Sequence, residues 1–550
     1  MFLGIDVGGT HTDAVVMDGR RVVCSCKVPT DHHDLLSSVR QAMRTLLETV
    51  EPAAVTRINL STTLSTNAIV EGRTEEVGVV VAGGPGIDPE HVRVGRFYQS
   101  VPGSIDHRGV EIAGIDADSL DAVAGRYCRE GVRVYAAVGK FSTRNPAHEQ
   151  AIGGKLMECG DFVSMGHRLS GQLNFPRRVA TAYYNSAVWR VYNAFADAIE
   201  NAAREMGLAA PIHVLKADGG TMPLAVSREV PVESILSGPA ASVMGIVALC
   251  DIREDCVILD VGGTTTDIAV FASGAPVIER DGIDVGSYAT LVRALRTHSI
   301  GVGGDSRLHV QAGAVRVGPE RMGPSMALGG TQPTLIDALN YMGKAHVGEV
   351  EASRRGIRDL AALWDMFPER LASEAVTTAV RRIAEAVTEL VDAINARPVY
   401  TIMELLQGRR VDPVRAYVMG GPAEVLRPLL ADALGRRVEV PEQYAVANAI
   451  GAALTRTTAE LELFADTEKG VLFIPTLDVR REVGARYDIE AAKRDAGQAL
   501  LEHLASLGVD DDEAAVEVVE ATSFNMVDDY GTAGRNIRVK CQVRPGILGA

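Results

Sequence analysis

The sequence predicts an α/β protein that contains one domain fold twice, followed by a small α+β domain. The phrase "DVGGTHTDAVV" begins at Asp6 and returns as "DVGGTTTDIAV" at Asp260. Each copy follows an apolar segment and precedes a second tight turn and another apolar segment. Strand-like and helix-like segments alternate along most of the chain, which is typical of α/β folds. A repeated three-strand meander indicates two domains of like fold.

Length and composition are those of a globular protein with about three domains. The chain has 550 residues, of which 47% are hydrophobic and 23% charged, and domains contain roughly 100–200 residues each. We predict a first domain over residues 1–175, a second domain with a helical insertion over 176–460, and a small α+β domain over 461–550.

Charge and cysteine content exclude several classes of function. The net charge is −16 and basic residues form only short pairs, whereas a nucleic-acid-binding surface needs clustered Lys and Arg. No apolar run reaches the ~18 residues of a membrane span. Seven Cys residues are scattered without a CxxC pair, which is typical of free thiols in a reducing compartment. We therefore expect a cytoplasmic protein that binds neither nucleic acid nor membranes.

The first meander follows from local sequence signals. "MFLGIDV" is an apolar strand, and the next segment, "THTDAVVMD", alternates as a half-buried strand does. The pair Gly8-Gly9 turns the chain between them. Asp18-Gly19 is a strong signal for a two-residue hairpin, after which "RRVVCSCKV" returns as a third strand.

The second meander repeats this order. "DCVILDV" is a strand, Gly262-Gly263 is a turn, and "TTTDIAVFA" is a strand. Ser273-Gly274 then turns the chain into a return strand that begins at Ala275. The repeated unit is therefore a whole meander rather than a short motif.

The two Gly-Gly-Thr turns are predicted to bind phosphate. Glycine lets the backbone approach a ligand closely, and successive N–H groups in such a turn form an anion-binding concavity. Threonine hydroxyls add further donors. The predicted cofactor-binding residues are Gly8, Gly9, Thr10, Thr12 and Asp13 in the first copy and Gly262, Gly263, Thr264 and Thr265 in the second. Asp13 and its counterpart Asp267 could each be a second carboxylate of the site or only a surface residue of its strand.

A carboxylate ends the strand before each turn. Asp6 and Asp260 would repel a phosphate unless a cation lay between them, and Mg²⁺ suits this role because it binds through few carboxylates, waters and phosphate oxygens. We predict Asp6 and Asp260 as metal ligands. Asp260 or Asp267 is the candidate for the catalytic group that holds Mg²⁺ or orients the nucleophile, and the sequence does not choose between them.

A third segment, residues 415–454, completes a nucleotide site. It reads as strand, Gly420-Gly421, helix, strand and a helix that opens with "NAIGAA". Glycines between a strand and a helix N-terminus are a usual place for part of a nucleotide to pack. We expect Gly420, Gly421 and Asn448 to contact the adenosine of ATP.

The three segments resemble the phosphate-1, phosphate-2 and adenosine segments of the acetate/sugar kinase, heat-shock chaperone and actin superfamily. Within it, the chain is similar to the ATP-dependent hydantoinase A / oxoprolinase family, which includes acetone carboxylase β-type subunits. The stretches that carry this resemblance, in order, are "STTLSTNAIVEGR", "KFSTRNPAHE", "SILSGPAASVMG", "DVGGTTTD" and "SIGVGGDS".

This resemblance implies a fold, an activity and a partner. The fold would be a pair of ribonuclease-H-like (actin-like ATPase) domains that face a nucleotide cleft. The activity would be ATP- and Mg²⁺-dependent phosphoryl transfer to a small cyclic amide or carbonyl substrate, completed with a hydantoinase B-type subunit. We also expect a homo-oligomer.

Substrate contacts are expected in two loops of the cleft. Thr63, Thr66 and Asn67 follow a strand, where they could line the cleft or cap the next helix. Gly303 and Gly304 belong to the stretch "SIGVGGDS", residues 299–306, which we call the glycine-rich loop.

Asp305 departs from the resemblance, because family members commonly have Gly at this position of the loop. A carboxylate there would repel a triphosphate. We therefore expect Asp305 to face the substrate or a cation, unless it only caps the following turn on the surface.

Two other functions are compatible with this pattern. A metabolite kinase of the same fold would release its phosphorylated product without a partner. An ATPase that reactivates a partner enzyme would turn over ATP without a small substrate. An iron–sulfur version of that activator is disfavoured, because the chain has no CxxC pair.

Overall fold

Alternating apolar residues form strands throughout the computed structural model, which describes residues 1–31, 34–279, 281–396, 410–509, 515–528 and 531–548. Strands β1 to β29 are, in order, Phe2–Val7, His11–Asp18, Arg21–Pro29, Arg57–Thr62, Val77–Ala82, Phe97–Ser100, Ser104–Ile105, Glu111–Ala113, Val134–Gly139, Phe162–Met165, Ile212–Leu215, Thr221–Pro223, Cys256–Val261, Thr266–Ala272, Ala275–Pro276, Ile278–Glu279, Asp284–Val285, Tyr288–Ala289, Ala294–Leu295, Thr297–Ile300, Leu308–Gln311, Ala314–Val317, Arg415–Met419, Arg437–Glu439, Glu460–Asp466, Val471–Ile474, Val479–Glu482, Val516–Asp528 and Gly531–Val543.

Helices fill the segments of 3.6-residue periodicity between these strands. Helices α1 to α14 are, in order, Leu35–Leu47, Leu64–Val70, Ala117–Arg129, Ala147–Leu156, Gly166–Leu169, Phe175–Glu205, Leu224–Ser227, Ser237–Leu249, Leu335–Tyr341, Val350–Leu363, Pro368–Asn395, Ala423–Leu434, Ala447–Leu454 and Ile489–Ser506. None of the helices in the described ranges is long and apolar enough to cross a membrane.

The first meander lies in a six-stranded sheet of order β12-β11-β4-β1-β2-β3. β1 pairs antiparallel with β2 and parallel with β4. The predicted turn at Asp18-Gly19 is present, with Gly19 in the left-handed region at φ +58°. Helix α1 covers one face of this sheet because its apolar side, which includes Val39, Met43 and Leu46, is buried.

The second meander builds a sheet with the same connections. Its order is β15-β14-β13-β23-β24, and β20 also pairs with β14. β13 pairs antiparallel with β14 and parallel with β23, as β1 does with β2 and β4. Helices α9 to α11 pack over it in one large apolar cluster. The duplication predicted from the repeated phrase is therefore present.

A smaller parallel sheet and a carboxyl-terminal sheet complete the fold. The order of the parallel sheet is β10-β9-β5-β6, and that of the carboxyl-terminal sheet is β27-β26-β25-β29-β28, with α14 packed on the latter. Strands β11 and β12 return to the first sheet after the long helix α6. We propose on this basis that the first unit continues beyond the predicted boundary at residue 175.

Helices α8 and α13 pack closely between the two large sheets because small residues line them. A Cβ added at Gly451 would lie 2.3 Å from the Ala241 carbonyl oxygen, and one at Gly4 of β1 would lie 2.3 Å from that of Ala449. The buried Asn59 of β4 donates Nδ2–H bonds to three carbonyl oxygens at the carboxyl end of α13, those of Ala452, Ala453 and Thr455, over 2.8, 3.1 and 3.1 Å.

A buried ionic chain joins the parallel sheet to the carboxyl-terminal segment. His167 Nδ1 lies 2.5 Å from Glu149 Oε2, and His167 Nε2 lies 2.7 Å from Asp478 Oδ1. Both Glu149 and His167 are fully buried. Burial alone would lower the pKa of His167, but the charges of Glu149 and Asp478 outweigh burial and raise that pKa to about 9. The imidazole is therefore held as a cation between two carboxylates.

Candidate functional site

The two Gly-Gly-Thr turns have the same geometry. The Gly8 N–H donates to the His11 carbonyl oxygen over 3.1 Å, and the Gly262 N–H donates to that of Thr265 over 2.9 Å. Because these bonds close both turns at the same place, the carboxylates before and after each turn face one another. Asp6 is paired with Asp13 across the first ladder, and Asp260 with Asp267 across the second.

The turns meet each other in space. A Cβ added at Gly263 would lie 2.9 Å from Thr10 Oγ1, so the first turn rests directly against the second. Asp260 is close enough to Asp6, Asp13 and Asp267 for its charge to raise the pKa of each. The structure thus brings together two pairs of carboxylates, one from each copy of the repeated phrase, that are far apart in sequence.

Burial raises the pKa of the carboxyls on both sides of the cleft. For Asp6, burial is the main cause of a pKa of about 7, and the charges of Asp13 and Asp260 raise that pKa further. Hydrogen bonding with the Ser61 and Asn448 side chains acts in the opposite direction and lowers it. Burial and the charge of Asp260 likewise raise the pKa of Asp267 to about 6. Opposed like charges in a dry site are costly without a cation.

Residues 415–454, the predicted adenosine segment, contact Asp260. Asn448 Nδ2, near the start of α13, donates to Asp260 Oδ2 over 3.0 Å, and the Ser242 hydroxyl of α8 donates to the same oxygen over 2.6 Å. Gly420 adopts φ +89°, and a Cβ there would lie 2.9 Å from Asp260 Oδ1. Only glycine avoids both the strain and this close approach.

Asp6 and Asp260 fit a cation that takes few protein ligands. Within the described ranges, no group of three or more His, Cys, Asp or Glu side chains is arranged to hold a metal, so a cage made wholly of protein ligands is not present there. Asp6 Oδ1 is buried and lacks a hydrogen-bond partner among the described residues. This matches Mg²⁺, which is held by one or two carboxylates together with substrate phosphates and waters.

The glycine-rich loop clamps the second turn. The Gly304 N–H donates to the Gly262 carbonyl oxygen over 2.9 Å, and the Asp305 N–H to that of Gly263 over 2.6 Å. A Cβ at Gly303 would lie 2.6 Å from the Gly263 carbonyl oxygen. The loop therefore fixes the backbone that is predicted to meet phosphate.

The buried Asp305 carboxylate makes contacts within the protein. Its Oδ1 accepts from the Ser325 N–H over 3.2 Å, and its Oδ2 lies 3.4 Å from Arg321 Nη2. A Cβ at Gly263 would lie 2.9 Å from Oδ2, so the carboxylate also borders the second turn. Because Asp305 is 8% exposed, it is not a surface cap of the following turn. Whether it meets a substrate stays a prediction.

The predicted Thr-Asn segment holds two helices together. Thr66 Oγ1 accepts from the Leu236 N–H over 3.0 Å, and Asn67 Nδ2 donates to Thr63 Oγ1 over 3.3 Å. Leu236 has φ +60°, just before α8. These contacts give Thr63, Thr66 and Asn67 a structural role at the cleft, and their contact with substrate stays a prediction.

Of the remaining predicted residues, Thr12 is buried with Oγ1 3.0 Å from that of Thr30. Thr264 lies in the second turn, where its carbonyl oxygen accepts from the Ser306 hydroxyl over 3.5 Å. A Cβ added at Gly9 or Gly421 would meet no atom of the described chain within 4 Å, so both glycines face open space.

Sequence reasoning did not single out Ser242 and Lys27. Lys27 Nζ lies 2.9 Å from Asp13 Oδ1 and donates to the Ala445 carbonyl oxygen over 3.3 Å, which joins the first meander to the segment before α13. A signal for Ser242 existed, since a hydroxyl inside an otherwise small and apolar helix tends to need a partner. No local signal pointed to Lys27.

Two solved structures have the same fold as this chain. A nucleotide-free structure from work on ATP-dependent acetone carboxylation by acetone carboxylase aligns with a TM-score of 0.73 and 16% identity over 100% of this chain and 88% of that one. The crystal structure of the ATP-dependent caprolactamase from Pseudomonas jessenii aligns with a TM-score of 0.72 and 21% identity over 99% and 87%. The predicted fold, two actin-like ATPase domains with a small α+β domain, is confirmed.

Three curated relatives are similar in sequence. Caprolactamase subunit alpha of Pseudomonas jessenii is 27% identical, over 79% of this chain and 67% of its own length. The acetophenone carboxylase gamma subunit of Aromatoleum aromaticum is 24% identical over 62% and 53%, and the 5-oxoprolinase of Saccharomyces cerevisiae is 25% identical over 58% and 26%. The chain thus matches between a quarter and two thirds of the length of these relatives.

Family signatures cover most of the chain. The signature described as "Hydantoinase/oxoprolinase N-terminal region" matches residues 2–160, and that described as "Hydantoinase/oxoprolinase" matches residues 178–461. Both phosphate-turn candidates and the α13 segment lie inside the matched ranges. The chain belongs to the hydantoinase/oxoprolinase family.

Proposed function

We propose that this chain is the ATP-using component of an enzyme that opens small cyclic amides by phosphorylating the amide oxygen. The observation that supports this most strongly is the direct opposition of two equivalent Gly-Gly-Thr turns, with Thr10 against Gly263. Phosphoryl transfer needs mainly positioning and neutralisation of charge. The N–H groups of the two turns would position the phosphates, and a cation held by the carboxylates behind the turns would neutralise their charge.

ATP would lie along the cleft with its phosphates between the turns. The free N–H groups of the two Gly-Gly-Thr turns would donate to the phosphate oxygens. Gly421, which faces open space, and the start of α13 would border the adenosine. Mg²⁺, when bound between Asp6 and Asp260, supplies the positive charge that lets these carboxylates and the phosphates share one site.

Ring opening would begin with phosphorylation of the amide oxygen. The amide oxygen attacks the γ-phosphorus, the bond to the β–γ bridging oxygen breaks, and ADP leaves. Water then adds to the activated carbon and the ring C–N bond breaks, which leaves an acyl phosphate and a free amine. A second water attacks the acyl carbon and releases phosphate that carries the original amide oxygen. The products are ADP, phosphate and an amino acid.

Asp260 and Asp267 have different roles in this scheme. Asp260 Oδ2 is fixed by Ser242 and Asn448, so its carboxylate is rigid, as a metal ligand should be. Asp267 has a pKa of about 6, which lets it accept a proton near neutral pH. We assign Asp267 to orient and deprotonate the attacking water.

Substrate class and partner follow the names of the relatives. Caprolactamase and 5-oxoprolinase are named for ring-opening of cyclic amides, and two relatives are named as subunits of larger enzymes. We propose a small lactam, hydantoin or oxoproline-like ring as substrate. A hydantoinase B-type subunit would complete the ring opening.

An oxygen-labelling experiment tests this proposal. The chain, with and without the B-type subunit, is given ATP and lactams labelled with ¹⁸O at the carbonyl. We expect lactam-stimulated ADP release and ¹⁸O in the released phosphate. Asp267→Asn should remove both signals, whereas Asp88→Asn, in an exposed loop before residue 89, should remove neither. A stable phosphorylated product would instead indicate a kinase, and ATP turnover that no lactam alters would indicate a reactivating ATPase.

A further inference from the structure

A small cavity lies away from the nucleotide cleft, where three parts of the chain meet. Its volume is about 220 Å³, which is room for about seven water molecules at ~30 Å³ each and so for a small organic molecule. The end of β11, the loop before β19 and the start of β25 contribute to its lining. Its apolar wall includes Met222, Val226, Val230, Val232, Leu291 and Leu461.

A buried lysine enters this cavity from the first sheet. Lys216 follows β11 directly and is 7% exposed. Its Nζ lies 3.4 Å from Asp218 Oδ2 and 3.3 Å from Glu233 Oε2. Charge-assisted hydrogen bonds are typically about 2.7–2.9 Å long, so neither contact uses the full donor capacity of the ammonium group.

An arginine enters from the second unit. Arg293 Nη1 lies 2.8 Å from Glu460 Oε2, but its Nε is 4.0 Å from Asp218 Oδ2. This Nε is buried and, across the described ranges, has no hydrogen-bond partner. A buried guanidinium N–H that finds no acceptor in the protein is costly, so a ligand acceptor at this place would be favourable.

The charges around the cavity balance. The lining carries the cations Arg168, Lys216 and Arg293 and the anions Asp218, Glu233, Glu460 and Glu462, and ion pairs link Lys216 and Arg293 to the first three of these anions. The partners behind the lining are Lys540 on Glu460, Arg538 on Glu462 and Asp478 on Arg168, which makes five charges of each sign. A ligand with only one charge would leave that charge uncompensated in a buried site. A ligand that carries one charge of each sign keeps the balance.

We propose that this cavity binds a small zwitterion, an amino acid with a short unbranched chain. Its carboxylate accepts from Arg293 Nε and Lys216 Nζ, and its ammonium donates to Glu233, whose side chain is 38% exposed at the mouth. The methylenes lie against the apolar wall. Because the walls come from the first sheet, the second unit and the carboxyl-terminal sheet, the bound ligand joins all three.

Calorimetry and thermal unfolding of the full chain test this. The zwitterionic probes are glycine, 4-aminobutanoate, 5-aminopentanoate and 6-aminohexanoate, and the single-charge probes are pentanoate and pentylamine. We expect at least one zwitterion to bind and raise the Tm, while neither single-charge probe does so at the same concentration. Binding by none of the zwitterions, or equal binding by pentanoate or pentylamine, would overturn the proposal.

Matched variants locate the binding. Lys216→Met should weaken binding about tenfold or more, whereas Lys155→Met should leave it unchanged, since Lys155 also sits between two carboxylates but on the surface. Val230→Phe fills the cavity without removing a charge and should also abolish binding. This variant therefore tests the proposal even if Lys216→Met fails to fold. Gly9→Ala, in the nucleotide cleft, should leave zwitterion binding unchanged. Zwitterion binding that survives Val230→Phe would place the ligand elsewhere and refute the assignment.

Discussion

Thr10 of the first turn lies against Gly263 of the second, where an added Cβ would be 2.9 Å from the threonine hydroxyl oxygen. The two copies of the repeated phrase are thus in contact, and each limits which side chain the other can carry. A phosphate between them would be enclosed from both sides.

Gly9→Ala should separate ligand binding from folding. A Cβ at Gly9 meets no atom of the described chain within 4 Å, so we expect the free energy of unfolding to change by less than about 0.5 kcal/mol. If the turn holds phosphate, the methyl group occupies ligand space, and ATP affinity should fall about tenfold or more. Calorimetry with ATP·Mg²⁺ measures this, with Gly484→Ala as the control, since Gly484 is equally open. Normal ATP affinity in Gly9→Ala would leave the first turn a structural element only.

Asp6→Asn should stabilise the metal-free protein at high pH. The folded-state pKa of about 7 lies above the usual 3.8, so ionising Asp6 costs stability as pH rises from about 4 to 7, by about 4 kcal/mol at most. Thermal unfolding in EDTA should show Asp6→Asn more stable than wild type at pH 8 and equal to it at pH 4. Added Mg²⁺ and ATP should reverse the order at pH 8. Equal destabilisation at both pH values would indicate a packing role.

Replacing His167 should flatten the alkaline limb of the stability curve. Its folded-state pKa of about 9 exceeds the usual 6.5, so its stabilisation is complete below pH 6.5 and is lost as pH rises through about 9. That loss amounts to about 3 kcal/mol. His167→Gln should lower the Tm at pH 6 and remove the decline between pH 7 and 9.5. His91→Gln, at an exposed histidine, should keep the wild-type profile, and an unchanged slope in His167→Gln would contradict the ion-pair account.

Asp305→Gly should loosen the segment that Asp305 holds. The change removes the acceptor for the Ser325 N–H and the partner of Arg321, so we expect a loss of about 1–3 kcal/mol. If the carboxylate also selects the substrate, Asp305→Gly should shift preference toward carboxylated cyclic amides while ATP affinity stays within about twofold. Asp305→Asn keeps one acceptor oxygen and serves as the matched variant. Lost stability with an unaltered substrate profile would restrict Asp305 to a structural role.

Much of this fold could be predicted because its signals are local. Apolar alternation, Gly-Gly pairs and the Asp18-Gly19 turn are each read within a few residues, and the pairing of Asp6 with Asp13 follows from the turn between them. The small residues of α13 likewise permit close packing, and Gly451 lies directly against Ala241 of α8.

What the sequence did not reveal depends on contacts between distant segments. His167 and Asp478 meet although 311 positions separate them, and neither has a local pattern that selects the other. The same holds for Lys27 and the Ala445 carbonyl. The predicted surface role of Asp305 was one of two alternatives, and only the burial created by the 321–325 segment decides against it.

The three bonds from Asn59 to the carboxyl end of α13 determine how the cleft can move. They fasten α13, the helix next to the proposed adenosine site, to strand β4 of the first sheet, and at the turns Thr10 lies against Gly263. We therefore expect any opening of the cleft to pivot near Asn59 and to separate the two turns most. A nucleotide would then enter and leave at the phosphate end of the cleft, while the proposed adenosine end would stay in place.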